Sequence, residues 1–138
     1  MANFKSPTQT IISSPVVELN RAGPLLEAAG SRMCAPLPVS AAFHSLYMEA
    51  SAQVFDEFLS GEAFKPLKLP VIANVTGRPY PAGDPTATIR STLVKQMSNP
   101  VQWSQCVRYL SELGATAFQE IGPGVVLSRQ LKQILPTP

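Results

Sequence analysis

Leu37-Pro38-Val39-Ser40-Ala41-Ala42-Phe43-His44-Ser45 carries the single histidine of this 138-residue chain. A proline-stiffened apolar approach ends in a Phe-His-Ser turn, and an amphipathic stretch follows at once. Histidine is the side chain best suited to move protons near neutral pH. By composition alone, a solitary histidine reads first as a structural residue hydrogen-bonded in or near a core. Its surroundings change that reading.

Upstream of this stretch the pattern is strand, helix, strand. Gln9 to Ser13 is a short β-prone run after the Ser6-Pro7 turn. Ser14 can cap a helix with Pro15 at its first position, running to Ala29 and stopping at Gly30. Pro24 falls inside that helix and removes a backbone donor, so a kink or an early stop is expected. Arg32 to Leu37 then reads as extended. Such a unit cannot bury both faces of its own sheet.

Downstream, Met48, Ala52, Phe55 and Leu59 form one apolar stripe on a helix expected over 46–60, with Gly61 ending it. Val71 to Val75 is a strand bounded by Pro70 and the Thr76-Gly77 turn, and residues 80–85 read as loop. Asp84-Pro85 opens a helix whose buried stripe is Ile89, Leu93 and Met97. Asn99-Pro100 is expected to cap and start the next, with Gln102 at its third position and Trp103, Val107 and Leu110 facing inward. Gly114 ends it. Ala117 to Ile121 is a strand, and Gly122-Pro123-Gly124 turns into a last helix carrying Val126, Leu127, Leu131 and Ile134. Alternating helices and strands predict a layered α/β fold, with an α+β small lobe before Leu37.

Composition narrows the function. Apolar residues make up 45% of the chain, but charged residues only 14%, where about a quarter is usual. That shortfall implies surface covered by something outside this sequence. A formal net charge of +2 with no basic run argues against nucleic acid. No apolar run approaches the ~18 residues of a membrane span, and no basic-then-apolar signal pattern opens the chain. Cys34 and Cys106 are far apart, without a CxxC, and read as reduced, packed thiols of a cytoplasmic protein.

The chemistry is left incomplete by the residues alone. Serine-type acyl transfer needs a nucleophile on a sharp turn, usually GxSxG, and no serine here has those flanks. A single histidine cannot anchor a metal cluster, so no metal site is expected. Gly122-Pro123-Gly124 precedes a helix and could face an anion, though a plain turn is the commoner meaning. The chain holds a candidate base without a nucleophile.

Five motifs, in order, supply a context: Asn3-Phe4-Lys5-Ser6-Pro7-Thr8-Gln9, LPVSAAFHS at 37–45, IANVTG at 72–77, NPVQW at 99–103 and EIGPG at 120–124. Together they resemble the C-terminal half of the malonyl-CoA:acyl-carrier-protein transacylase family, the acyltransferases of fatty-acid and polyketide synthesis. The resemblance covers nearly the whole chain. It implies an α/β-hydrolase-like core with an inserted ferredoxin-like small subdomain. Residues 1–36 would be the second half of that subdomain, and residues 37–138 the C-terminal part of the large one. The family's GHSxGE serine and its carboxylate-pairing arginine have no counterpart here, which implies a fragment, inactive alone, whose partner is the other half of the enzyme.

The resemblance also assigns roles. His44 takes the place of the general base, oriented by the backbone carbonyl of Gln96. A neutral carbonyl adds no charge, so it should steady an imidazolium less than an aspartate does. Phe43 and Asn3 take substrate-binding positions, and a phenylalanine directly before the histidine goes with malonyl over methylmalonyl. Lys5 departs from the asparagine the family often carries there. The implied substrates are malonyl-CoA and the phosphopantetheine thiol of an acyl carrier protein, with no cofactor. An acyl-carrier-protein hydrolase of the same fold, or a non-catalytic fragment that binds the carrier, are the alternatives.

Overall fold

A computed structural model describes residues 1–135. Two strands, β1 (Asn3–Ser6) and β2 (Gln9–Ile11), form an antiparallel hairpin in which Asn3 faces Ile11 and Phe4 faces Thr10. The register shifts between Phe4 and Ser6, so Lys5 is an extra residue in a bulge. β1 goes beyond the sequence reading, which began its strand at Gln9. Its second neighbour is the segment at Val101. Phe4 N–H donates to the Val101 carbonyl at 2.9 Å, and Val101 N–H donates to the Ala2 carbonyl at 2.9 Å.

Helix α1 spans Val16–Ala28 and runs through Pro24 without the early stop expected there. It begins one residue later than expected, with Pro15 at the cap and no side-chain cap bond. Gly30, at φ +102°, closes it as Ser31 N–H reaches back to the Leu26 carbonyl. None of its residues is buried, and Val16 and Leu25 are each 71% exposed.

A 3₁₀ turn, Leu46–Met48, leads into α2, Glu49–Leu59. Met48, Ala52 and Leu59 of the expected stripe are buried and pack toward α3 (Pro85–Ser98), while Phe55 is half-buried. Asp84 caps α3 by accepting from Ala87 N–H at 2.7 Å, with Pro85 at the first position. Arg90 Nε lies 2.6 Å from Asp56 Oδ1 across the two helices, a partly exposed pair contributing at most about 1 kcal/mol. Ile89 is buried in α3 as expected, but Thr92 is the other buried position, and Leu93 and Met97 are half-buried.

The strand expected over 71–75 shrinks to β3 (Ile72–Ala73), paired with β4 (Arg78–Pro79) in a hairpin the sequence reading did not resolve. Helix α4 spans Trp103–Glu112, not the earlier start expected at Asn99-Pro100. Val101 is drawn into the bridge to β1, so the helix cannot begin until after Gln102. Val107 and Cys106 of α4 are buried beside Ala73 and Val101, and this is the centre of the core. Burial pushes the Cys106 thiol up, which makes it a packing residue and a poor nucleophile. Cys34 is exposed, not packed as expected.

Two expected strands are not formed. Residues 32–37 and 117–121 carry no ladder, and Ile121 is 91% exposed. A strand exists through hydrogen bonds to a neighbour, and no described strand pairs with either run; Cys34 N–H instead donates to the Glu27 carboxylate at 3.1 Å. The last helix, α5 (Val126–Ile134), buries Gln130 and Ile134, whereas Val126 and Leu127 of the expected stripe are exposed. No helix among the described residues is long and apolar enough to cross a membrane.

The N-terminus of α5 is occupied by the chain's own anion. Glu120 accepts from the Ser128 hydroxyl at 2.7 Å, from Ser128 N–H at 2.9 Å and from Leu127 N–H at 3.0 Å. The Ser128 hydroxyl first, then these amides, hold its carboxyl below the usual carboxylate range. A depressed folded-state value contributes stability above the unfolded carboxylate's range and loses it as pH falls through the depressed value. Glu120→Gln is therefore expected to lower the melting temperature at neutral pH, with the deficit closing in acid. A deficit constant down to strong acid would show that the cap does not act through charge.

Candidate functional site

The His44 site is built from a turn and a helix end. Ser45, itself buried, donates its hydroxyl to the Ala42 carbonyl at 2.6 Å and closes the Phe43-His44 turn. Within that turn His44 has φ +60°, the one described non-glycine residue in the left-handed region. Such a backbone costs of order 1–3 kcal/mol and persists only where surrounding contacts hold it. Two of those contacts come from the last turn of α3. His44 N–H donates to the Met97 carbonyl at 3.1 Å, and His44 Nδ1 lies 2.7 Å from the Gln96 carbonyl.

One of those carbonyls is free for a reason legible in the sequence, the other because of a tertiary contact. In a helix the carbonyl of residue i takes the N–H of residue i+4. For Gln96 that residue is Pro100, which has no N–H. For Met97 it is Val101, whose N–H goes to Ala2. Lys95 keeps a helical partner in Asn99 N–H at 3.1 Å, and the Asn99 side-chain amide adds a second bond at 2.9 Å. Pro100 and the bridge at Val101 thus leave the Gln96 and Met97 carbonyls without helical partners, and His44 takes both.

A carbonyl only accepts, so Nδ1 carries the hydrogen and Nε2 presents its lone pair outward. The acceptor sits at the C-terminal end of a 14-residue helix, the negative end of its dipole.

The other two candidates sit differently. Phe43 is 46% exposed beside His44, so it is not core within this chain. Asn3 lies in β1 and is tied by backbone to Val101; no hydrogen bond links it to His44. Its Oδ1 is buried and has no partner among the described residues. A cleft of about 380 Å³ lies between residues 66–71 and the start of α3; it is lined by Tyr80 but not by His44 or Phe43. Sequence reading missed Ser45, Met97 and Tyr80 at this site. Pro100 was the usable signal, had it been read as a freed carbonyl rather than as a helix start.

No protein-family model matches the chain. The polyketide biosynthesis protein ThaF of Burkholderia thailandensis is 44% identical over 136 residues, 99% of this chain and 11% of that protein. The polyketide biosynthesis malonyl CoA-acyl carrier protein transacylase BaeC of Bacillus velezensis is 38% identical over 97% of this chain and 45% of its own length. The chain is homologous to a stretch of the malonyl-CoA:acyl-carrier-protein transacylases. The crystal structure of the transacylase of Xanthomonas oryzae superposes with a TM-score of 0.89 at 38% identity, over 96% of this chain and 41% of that one. The chain therefore spans less than half the length of these transacylase relatives, which fits a C-terminal half. Its mixture of helices and short strands is a fragment of the transacylases' α/β fold.

Proposed function

We propose that this chain carries the general base of an enzyme that moves malonyl from coenzyme A to an acyl carrier protein. The observation that carries the reading is His44 held by the end of α3, Nδ1–H on Gln96 and Nε2 free, within a homologue of the transacylases. In this reading a serine outside the chain gives its proton to Nε2 as its oxygen attacks the malonyl thioester carbonyl. The proton then passes from Nε2 to the departing coenzyme A sulfur, leaving a malonyl-serine ester. The phosphopantetheine thiol of the carrier repeats the steps in reverse: it loses its proton to Nε2, attacks the ester, and the serine oxygen recovers that proton. Every atom moved belongs to serine, histidine or thioester, so the chemistry calls for no cofactor. We place the reaction in the cytoplasm, with residues 1–36 as part of a small subdomain and 37–138 as part of the large one.

Phe43, exposed beside the base, is placed to crowd the α-carbon of a substituted malonyl group, and Asn3 offers an unpaired acceptor. The test joins this chain to a serine-bearing stretch of the family and supplies labelled malonyl-CoA. One acyl group should appear on serine and leave on adding phosphopantetheinylated carrier, whereas this chain by itself takes up none. A stable label on the chain alone would sink the reading. In competition with methylmalonyl-CoA, Phe43→Ser should shift preference toward the methylated ester by at most roughly 1–3 kcal/mol.

A further inference from the structure

We propose that Tyr80 is a positioning residue for His44, acting through the side chain of Gln96. The inference rests on His44 being the base, and adds a residue outside the five motifs. Gln96 is held at both ends. Its carbonyl accepts from the His44 ring at 2.7 Å, and its side-chain Nε2 donates to the Tyr80 hydroxyl at 3.2 Å. The Tyr80 backbone is tied down, because its N–H donates to the Val71 carbonyl at 3.0 Å just beyond the β3–β4 hairpin, and its side chain is half-buried.

The need for such an anchor follows from the helix end. With Pro100 at the i+4 position, the Gln96 carbonyl has no helical partner, and within α3 its peptide is restrained only through the Met97 N–H on its other side. Left alone, that peptide can tilt, and the His44 ring would tilt with it. A bond from the same residue's side chain to the hydroxyl of a half-buried tyrosine limits the rotation of the last turn. The path is contiguous, from hairpin to Tyr80, to Gln96, to the imidazole, and each link is a hydrogen bond. Tyr80 touches no reacting atom in this arrangement; its effect is on where Nε2 points.

The test uses the fact that His44 is the only histidine. In the full chain its Nδ1–H gives one downfield proton resonance, visible while the Gln96 bond shields it from solvent exchange. Tyr80→Phe removes the hydroxyl and keeps the ring. It is expected to broaden that resonance beyond detection under conditions where the wild type shows it, without lowering the melting temperature by more than a few degrees. Gln96→Ala keeps the backbone carbonyl and should produce the same loss, and the double variant should add nothing. In the protein joined to its serine-bearing stretch, Tyr80→Phe should lower kcat about threefold to tenfold with KM unchanged.

A resonance equally sharp in Tyr80→Phe overturns the proposal. So does a lost resonance with unchanged kcat, if His44→Asn is inactive in the same assay. A lost resonance together with a fully active His44→Asn overturns the base reading instead, and leaves the Tyr80–Gln96–His44 linkage standing.

Discussion

His44→Asn is expected to lower malonyl transfer by about 10²–10⁴-fold in the protein that carries the serine. Asparagine is the informative replacement because the backbone here is left-handed at φ +60°. Asparagine tolerates that conformation better than alanine does, so the substitution removes the imidazole while sparing the turn. His44→Ala would mix loss of the base with backbone strain. Transfer rate and melting temperature should be measured on one preparation. A variant that melts early yet transfers at the wild-type rate would return His44 to a structural role. The Ser45 hydroxyl and the Met97 carbonyl still hold the backbone after the ring is gone, which is why the fold is expected to survive.

Gly77→Ala is expected to lower stability by about 2–4 kcal/mol, combining overpacking with left-handed strain. A Cβ at this buried glycine would stand 2.8 Å from Gln105 Cβ, and the backbone is at φ +65°. The obstacle is the root of a side chain on α4, so relief requires the hairpin to move off the helix. Gly61→Ala is the matched control. Nothing lies within 4 Å of its Cβ position and its φ is not positive, so its stability should stay within about 1 kcal/mol of wild type. Chemical denaturation of the full chain measures both. Equal midpoints for Gly77→Ala and wild type would mean that β3–β4 does not pack on α4 in this way. Because Tyr80 follows β4 directly, Gly77→Ala should also disturb the His44 resonance.

Much of the helical content was legible because its signals are local. Asp84-Pro85 capped α3 as read, and the stripe of α2 buried three of its four positions. Strands fared worse. Ile72-Ala73 formed part of the expected run, while 32–37 and 117–121 had the composition of strands and no neighbour to pair with. A helix closes its hydrogen bonds within its own segment, but a strand closes them across the chain. Asn99-Pro100 misled for the same reason. Its local reading is a helix cap, yet Val101 was claimed by β1 nearly a hundred residues away in sequence.

By itself the sequence determined that His44 is the residue to examine, because one histidine in an Ala-Phe-His-Ser turn stands out without coordinates. It also held, unread, the reason a carbonyl is free at Gln96, because proline four residues on has no hydrogen to give. Only the tertiary structure decided where these meet. The ring and the carbonyl are 52 positions apart, and a hydrogen bond at 2.7 Å depends on α2 docking against α3. The same is true of Tyr80, which no motif marks. Its place beside Gln96 follows from a hairpin packed on α4, and packing is a property of surfaces brought together rather than of any one segment.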